Sequence, residues 1–265
     1  MIDTSSPTFW SDLVDVLITG TGQTLYMVGF ALLFTVIVGL PLGVLLVGTE
    51  RGGLFDAPFG KRGLGRVLHA VLSFVVNLGR SVPFVILMIA IIPFTRFVVG
   101  TFLGSTAAIV PLSLVAIPFF ARMVEISIKE VDAGLSEAAH SLGASRWQIV
   151  RKVLVPEALP GMLLGLATTV TSIINFSAMV GTVGGGGLGD VAFRWGYQRY
   201  STIHMVAVII IIFIIVMLLQ WVATHYAKKF ARSATGSRTV STPRDAPRGT
   251  PRDTRSDSPV GTPTI

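Results

Sequence analysis

Long apolar segments separated by short polar ones run from about residue 20 to residue 230. A helix that spans a membrane needs about 20 mostly apolar residues, because no backbone polar group can stay unpaired in hydrocarbon. Five segments meet this requirement: 24–49, 71–95, 97–121, 158–183 and 202–226. The third is best defined at residues 105–121. The second is interrupted by Arg80. The pattern predicts an all-α, polytopic membrane protein with five transmembrane helices.

Charged residues in the connecting segments predict how these helices are oriented. Cytoplasmic loops of membrane proteins carry an excess of Lys and Arg. One set of connections is rich in them: Arg51, Lys61, Arg62 and Arg66 after span one, Arg122, Lys129, Arg146, Arg151 and Lys152 after span three, and Lys228, Lys229 and Arg232 after span five. The other set holds only Arg96, Arg194 and Arg199. The N-terminus is therefore predicted outside and the C-terminus inside.

The predicted cytoplasmic segment between spans three and four contains "EAAHSLGASRWQIVRKVLVP", residues 137–156. Apolar and small residues form one helical stripe there: Leu135, Ala138, Ala139 and Leu142. Gly143 is typical of a position just past a helix end. The segment from Ser145 to Gln148 reads as a capping box that opens a second helix, and Pro156 is expected to end it. Such a hairpin either ties two spans together at the membrane surface or docks into a groove on a cytoplasmic protein.

Polar residues inside span four form a second pattern that the predicted membrane location makes unusual. Polar side chains at helical spacing should face protein or water rather than lipid: Thr168, Thr171, Ser172 and Asn175, with Met179 at the outer end. This stripe predicts either a contact between helices or the wall of a translocation path. Met179 either seals that path as a gate or fills a gap between helices. For Arg80, the alternatives are a side chain that extends to the inner interface and an ion pair with another helix.

Composition limits the functional classes to which the chain can belong. It has 265 residues, of which 51% are apolar and 13% charged, with no Cys and four scattered His. These numbers favour a membrane protein and predict no metal site and no cofactor. The net charge of +7 is spread between apolar segments and a tail, unlike the clustered charge of a nucleic-acid-binding face.

Composition and motif content predict the character of two further segments. "GGGGLGD" at residues 184–190 lacks the Gly-Lys-Ser/Thr ending of a phosphate-binding loop and is predicted to be a flexible or tightly turned external connection. The Pro-Arg-rich residues 231–265 have little apolar surface to bury and are predicted to form a disordered cytoplasmic tail. The predicted domain organisation is an external segment at 1–19, a transmembrane domain at 20–230 and this tail.

The segment from Glu137 to Pro156 resembles the EAA loop of permease subunits of bacterial ABC importers. It has Glu-Ala-Ala at 137–139, Gly143, and Val-Leu-Val-Pro at 153–156, where the family usually ends in Ile-x-Leu-Pro. Additional blocks resemble the methionine-type (MetI-like) permeases, the five-span group of this family: "RSVPFVILMIAIIPFTR" (80–96), "PFFARMVE" (118–125), "IVRKVLVPEALPGM" (149–162) and "GTVGGGGLGDVAFRWGYQRY" (181–200).

The resemblance implies a homodimeric permease of the bacterial inner membrane that carries methionine, or another amino acid or small solute. It implies two copies of a cytoplasmic ATPase subunit, which hydrolyse the ATP, and an external solute-binding protein. The residues that it assigns to ATPase coupling are Glu137, Ala138, Ala139, Leu142 and Gly143. Its translocation path and gate would contain Thr168, Ser172, Asn175 and Met179. The rival classes are a membrane-embedded enzyme, for which no intramembrane pair of His, Asp or Glu is found, and a channel or secondary carrier, which internal repeats would favour.

Overall fold

A computed structural model describes residues 8–50 and 62–235, and within these ranges all regular structure is helical. The ten α-helices are α1 (Phe9–Thr49), α2 (Arg62–Ser81), α3 (Phe84–Ala90), α4 (Ile92–Val99), α5 (Ser105–Lys129), α6 (Ala133–Ser141), α7 (Arg146–Ile149), α8 (Val155–Val180), α9 (Gly187–Val191) and α10 (Thr202–Thr235). Wider π-helical turns lie at Val150–Leu154, Gly181–Gly185 and Ala192–Gln198. The predicted all-α fold class is confirmed.

Helix α5 lies at the centre of the bundle. The most apolar stretch of α5 is 61% buried, whereas that of α10 is 11% buried. Glycines let the neighbouring helices approach α5 closely. A Cβ at Gly43 of α1 would lie 2.5 Å from the carbonyl oxygen of Ala121, and one at Gly165 of α8 would lie 2.7 Å from the Cβ of Met123. Helices α1 and α8 therefore pack on two sides of α5.

The number of membrane spans agrees with the prediction of five, although the second span is not one straight helix. Four helices in the described ranges are long and apolar enough to cross a membrane, and a bent pair makes a fifth when it is counted as one span. Gly65–Ser81 and Phe84–Ala90 meet at 107° across Pro83. Proline lacks a backbone N–H and disfavours helical backbone at the residue before it. The second predicted span, over 71–95, is therefore bent rather than one straight helix.

Other helix boundaries differ from the predicted ones mainly by extension. Helix α5 begins at Ser105 as predicted but continues to Lys129, and α10 begins at Thr202 as predicted but continues to Thr235. Helix α1 begins at Phe9, so the predicted external segment contributes its residues 9–19 to the same helix as span one. Residues 1–7 and the tail at 236–265 lie outside the described residues. The orientation across the membrane stays a prediction.

Candidate functional site

The hairpin between α5 and α8 is held by backbone hydrogen bonds that need a glycine at its corner. The Asp132 side chain accepts the N–H of Gly134 at 2.8 Å and caps the start of α6. At the other end, Gly143 has a φ of +80°. Its N–H donates to the carbonyl of His140 at 2.9 Å, and the N–H of Ala144 donates to that of Ala139 at 3.1 Å. This pair of bonds is a Schellman motif, so the predicted glycine corner is confirmed.

The capping box that opens α7 is also confirmed. The N–H of Gln148 donates to the Ser145 hydroxyl at 3.4 Å, and the N–H of Ser145 donates to the side-chain oxygen of Gln148 at 2.8 Å. Each residue thereby satisfies a backbone donor that the start of a helix leaves unpaired. The end of α6 and the start of α7, which meet at the corner, are thus both capped.

Pro156 does not end this second helix, which corrects the sequence prediction. Helix α7 passes through the π-helical turn and joins α8 without a break, giving one helix from Arg146 to Val180. In the turn, the N–H of Val155 bonds to the carbonyl of Val150, five residues back. A π-helical turn interrupts the regular bonding of each N–H to the carbonyl four residues back, and Pro156, which has no N–H to donate, follows this turn directly.

The residues predicted for ATPase coupling form an uncovered surface on this hairpin. No residue of α6 is buried; Glu137 and Ala138 are exposed and Ala139 is half-buried. Leu142 is 88% exposed, and a Cβ at Gly143 would meet open space. Leu135 and Trp147 add exposed apolar area. We call the surface formed by Leu135, Glu137, Ala138, Leu142 and Trp147 the hairpin surface.

Thr168 and Ser172, two of the predicted path residues, line a polar groove between α8 and α10. The groove has a volume of about 330 Å³ and is lined by Leu164, Ala167, Thr168, Thr171, Ser172, Gln220 and Thr224. The side-chain N–H of Gln220 donates to the Thr171 hydroxyl at 3.3 Å. Asn175 is exposed farther along α8, and Met179 is 45% exposed at its far end.

Sequence reasoning missed the contribution of α10 to this groove. Gln220 and Thr224 lie four residues apart in a mostly apolar span, so they occupy one face of the helix. This spacing of two polar residues is the sequence feature that could have predicted the contribution of α10.

A second missed feature is a network of charges at the end of α5. The buried Glu125 side chain contacts Arg122 at 2.7 Å and Lys129 at 3.0 Å. Lys129 also contacts Glu50, the residue that follows α1, at 2.8 Å. Arg122 and Lys129 lie three and four residues from Glu125 in the sequence, and this spacing could have predicted the network.

Arg80, which interrupts the second predicted span, lies at the surface of the protein. Arg80 is exposed and forms no ion pair with any residue of the described ranges.

The glycine-rich connection is tightly turned, with positive φ at Gly184, Gly186 and Gly187. Side chains of α1 hold it, because Gln23 accepts the N–H of Gly187 at 2.7 Å and Thr24 accepts that of Leu188 at 2.8 Å.

Apolar helices, a polar groove between two of them and a helix that joins the groove to an exposed hairpin are features expected of the membrane-spanning subunit of a transporter. The chain belongs to the family of inner membrane components of binding-protein-dependent transport systems, whose model matches residues 39–232. It is therefore a multi-pass inner-membrane permease of an ABC transporter, and this family is not itself catalytic.

Named relatives and solved structures refine this similarity. The chain is 52% identical to the probable D-methionine transport system permease protein MetI of Vibrio cholerae over 199 residues, which are 75% of this chain and 85% of that protein. It is 40% identical to the methionine import system permease protein MetP of Bacillus subtilis, covering 72% and 83% of the two chains. A chain of the MetNI methionine ABC transporter, solved in inward-facing conformations, matches with a TM-score of 0.77 and 40% identity, covering 86% of this chain and 99% of that one.

Proposed function

We propose that this chain is the permease subunit of a methionine ABC importer. The relatives named above support the substrate, and the polar groove supports a path for a small polar solute. In this proposal two copies of the chain form the path, because one bundle of about five spans is too small to enclose it. An external solute-binding protein delivers methionine to the face that carries the glycine-rich connection.

The observation that carries the proposal is the continuity of the helix from Arg146 to Val180. One end of this helix begins at the capping box beside the hairpin surface, and the other passes Thr168 and Ser172 and reaches Met179. Its three consecutive segments of 4, 5 and 26 residues give a length of about 50 Å at 1.5 Å per residue. A displacement of the hairpin can therefore be transmitted directly to the groove and to Met179 without passing through a flexible connection.

The hairpin surface is the proposed docking site of a cytoplasmic ATPase subunit. Alanines at positions 138 and 139 leave room for another protein to approach the backbone of α6, and Leu142 extends beyond them. Burying a leucine side chain contributes about 1.5–3 kcal/mol, so Leu142 would act as an apolar anchor. Glu137 would mark the charged rim of the contact. Closure of the paired ATPase subunits on ATP would then bias the permease between outward and inward access.

Uptake and copurification test the proposal together. The chain would be expressed with its ATPase partner in a bacterium that lacks its own methionine importer, and uptake of labelled methionine would be measured. We expect ATP-dependent uptake and copurification of the ATPase. Competition with unlabelled L-methionine, D-methionine and other amino acids identifies the preferred substrate. Strong competition by a different amino acid, with no effect of either methionine isomer, would replace methionine as the substrate and leave the permease assignment standing.

The docking site is tested separately by replacing Leu142 with Asp, which places a charge at the centre of the surface. His140→Asp is the matched control, because His140 is exposed on the side of the helix opposite to Leu142. Leu142→Asp should lose the ATPase on purification, and His140→Asp should keep it. Retention of the ATPase by both variants would contradict docking at this surface.

A further inference from the structure

Four hydroxyl groups line the groove between α8 and α10, and the three on α8 donate their protons back into their own helix. The Thr168 hydroxyl donates to the carbonyl of Leu164 at 3.1 Å, that of Thr171 to Ala167 at 3.0 Å, and that of Ser172 to Thr168 at 3.0 Å. A hydroxyl has one donor and two acceptor lone pairs. With the donors used inside the helix, these side chains offer only acceptors to a molecule in the groove.

Gln220 adds another acceptor, and the orientation of its amide follows from the same network. Because the Thr171 proton is donated to Ala167, the Thr171 oxygen can only accept from Gln220. The amide nitrogen of Gln220 must therefore face Thr171 at 3.3 Å, which leaves the amide oxygen free to accept elsewhere. Gln220 is exposed, and its oxygen has no hydrogen-bond partner in the described part of the chain.

This lining selects for one kind of ligand group. All seven lining residues are neutral, and those with polar side chains converge on about 330 Å³ of space. A carboxylate or phosphate would meet lone pairs, which disfavour an anion. A primary ammonium group carries three donors and no acceptor, so it matches the lining. Removal from bulk water strengthens each of these charge-assisted contacts.

A groove of this kind should not face lipid. Gln220, Thr168 and the hydroxyls beside them lie within predicted membrane spans, where polar groups occur next to protein or water. Farther along the same face of α8, Asn175 lies one turn beyond Thr171 and Met179 two turns beyond it. Asn175 is exposed and carries amide donors, which suit a carboxylate.

We infer that the groove between α8 and α10 is a binding subsite for the α-ammonium group of the amino acid in transit, with Thr168, Thr171, Ser172 and Gln220 as its acceptors. The inference rests on the proposed function as an amino-acid importer. It adds a position on the path at which the substrate is recognised by its amino group, independently of its side chain.

The absence of Cys from the chain makes a protection experiment direct. Ala167→Cys places a thiol in the groove without removing an acceptor. The permease, assembled with its ATPase subunit in lipid nanodiscs, is treated with a water-soluble methanethiosulfonate, and modification is followed on the permease chain itself. We expect L-methionine and its methyl ester to slow modification, because both keep the ammonium group. The hydroxy analogue, in which a hydroxyl replaces the amino group, should not protect at the same concentration.

Variants of the acceptors give the second arm. In the Ala167→Cys background, Gln220→Leu and Thr168→Val each remove one acceptor, and Thr168→Val does so without changing shape. A hydrogen bond to a charged group contributes enough free energy that each loss should raise the methionine concentration needed for protection by about tenfold. Tyr200→Cys, at an 82% exposed position outside the groove, is the control whose modification should not respond to methionine.

Each outcome decides the inference. Equal protection by methionine and the hydroxy analogue would show that the amino group is not recognised. A thiol at position 167 that never reacts would show that lipid or a second copy of the chain covers the groove, and a thiol that reacts without protection would show a groove filled by water alone. Methionine uptake by the parent protein is measured in parallel. Its failure overturns the proposed function, whereas normal uptake without protection overturns only the subsite.

Discussion

The ammonium group of Lys129 lies 2.8 Å from a carboxylate oxygen of Glu50 and thereby joins the ends of α1 and α5. Lys129 also lies 3.0 Å from Glu125, whose side chain is 4% exposed and holds Arg122 as a second cation at 2.7 Å. Two carboxylates and two cations are thus balanced at one end of the bundle. The buried member, Glu125, depends most on its partners, because an unpaired buried charge is costly.

Lys129→Met should destabilise the protein more than Glu50→Gln. The lysine variant leaves buried Glu125 with one cation, whereas the glutamine variant removes one contact from a carboxylate that is 44% exposed and well hydrated. Exposed ion pairs contribute about 0–1 kcal/mol, so Glu50→Gln should change the melting temperature little. Thermal unfolding of purified protein, followed by size-exclusion chromatography, measures both. Lys228→Met is the control at an exposed lysine, and a loss as large as that of Lys129→Met would contradict a specific role for the network.

Thr24→Val should loosen the glycine-rich connection. The Thr24 hydroxyl accepts the N–H of Leu188 at 2.8 Å, and both residues are almost fully buried. Valine keeps the shape and leaves a buried donor unpaired, at a cost of about 1–3 kcal/mol. We expect a lower melting temperature and faster hydrogen exchange at residues 187–188. Thr19→Val, at an exposed position of the same helix, should change neither. Unchanged exchange in Thr24→Val would contradict the role of this contact.

Sequence patterns predicted the local parts of the fold because those parts are specified locally. The Gly143 corner and the box between Ser145 and Gln148 depend on residues within a few positions of each other. The break at Pro83 was missed because the apolar pattern continues across it. The continuous helix through Pro156 was missed because a π-helical turn leaves no signature in hydrophobic periodicity.

Contacts between distant segments explain the remaining differences at the candidate site. The bond from Gln220 to Thr171 joins residues 49 positions apart, and that from Leu188 to Thr24 joins residues 164 apart. Composition indicates that polar residues in a span need partners, but it does not identify which ones pair. The exposure of Leu142 was predictable from its place on a polar hairpin, whereas the groove required the packing of α10 against α8.

Gly143→Leu should uncouple transport from ATP hydrolysis because Gly143 adjoins the hairpin surface, and not only because leucine strains the backbone at this position. Gly143 and Gly100 both have positive φ, +80° and +85°, and both have open space where a Cβ would be. A non-glycine residue in this conformation costs about 1–2 kcal/mol, so Gly100→Leu is a control with matched strain. Gly143 adjoins the hairpin surface, whereas Gly100 follows α4 in a different connection.

We expect Gly143→Leu to lose ATPase copurification and methionine uptake while it still inserts, and Gly100→Leu to retain both. Membrane insertion is checked by the amount of protein in the membrane fraction. Equal loss in the two variants would assign the effect to strain, and survival of coupling in Gly143→Leu would contradict docking at the hairpin.

Met179→Cys tests the proposed gate. Met179 is 45% exposed at the end of α8 that is predicted to face outward, one turn beyond Asn175. In a symmetric dimer, two copies of a residue that faces the path approach each other across the axis. Methionine is apolar and conformationally adaptable, so two such side chains can exclude water from a constriction and still separate for a thioether substrate. Because the chain has no other Cys, oxidation should give a cross-linked dimer through position 179 alone.

The cross-link should form in the resting transporter and change when ATP hydrolysis is trapped, since the two ends of α8 move together. Met162→Cys is the matched control, because Met162 lies on the same helix but is 3% exposed, in the core. It should not cross-link in either state. If Met179→Cys supports uptake but never cross-links in an assembled transporter, Met179 lies away from the axis and only fills a gap between helices.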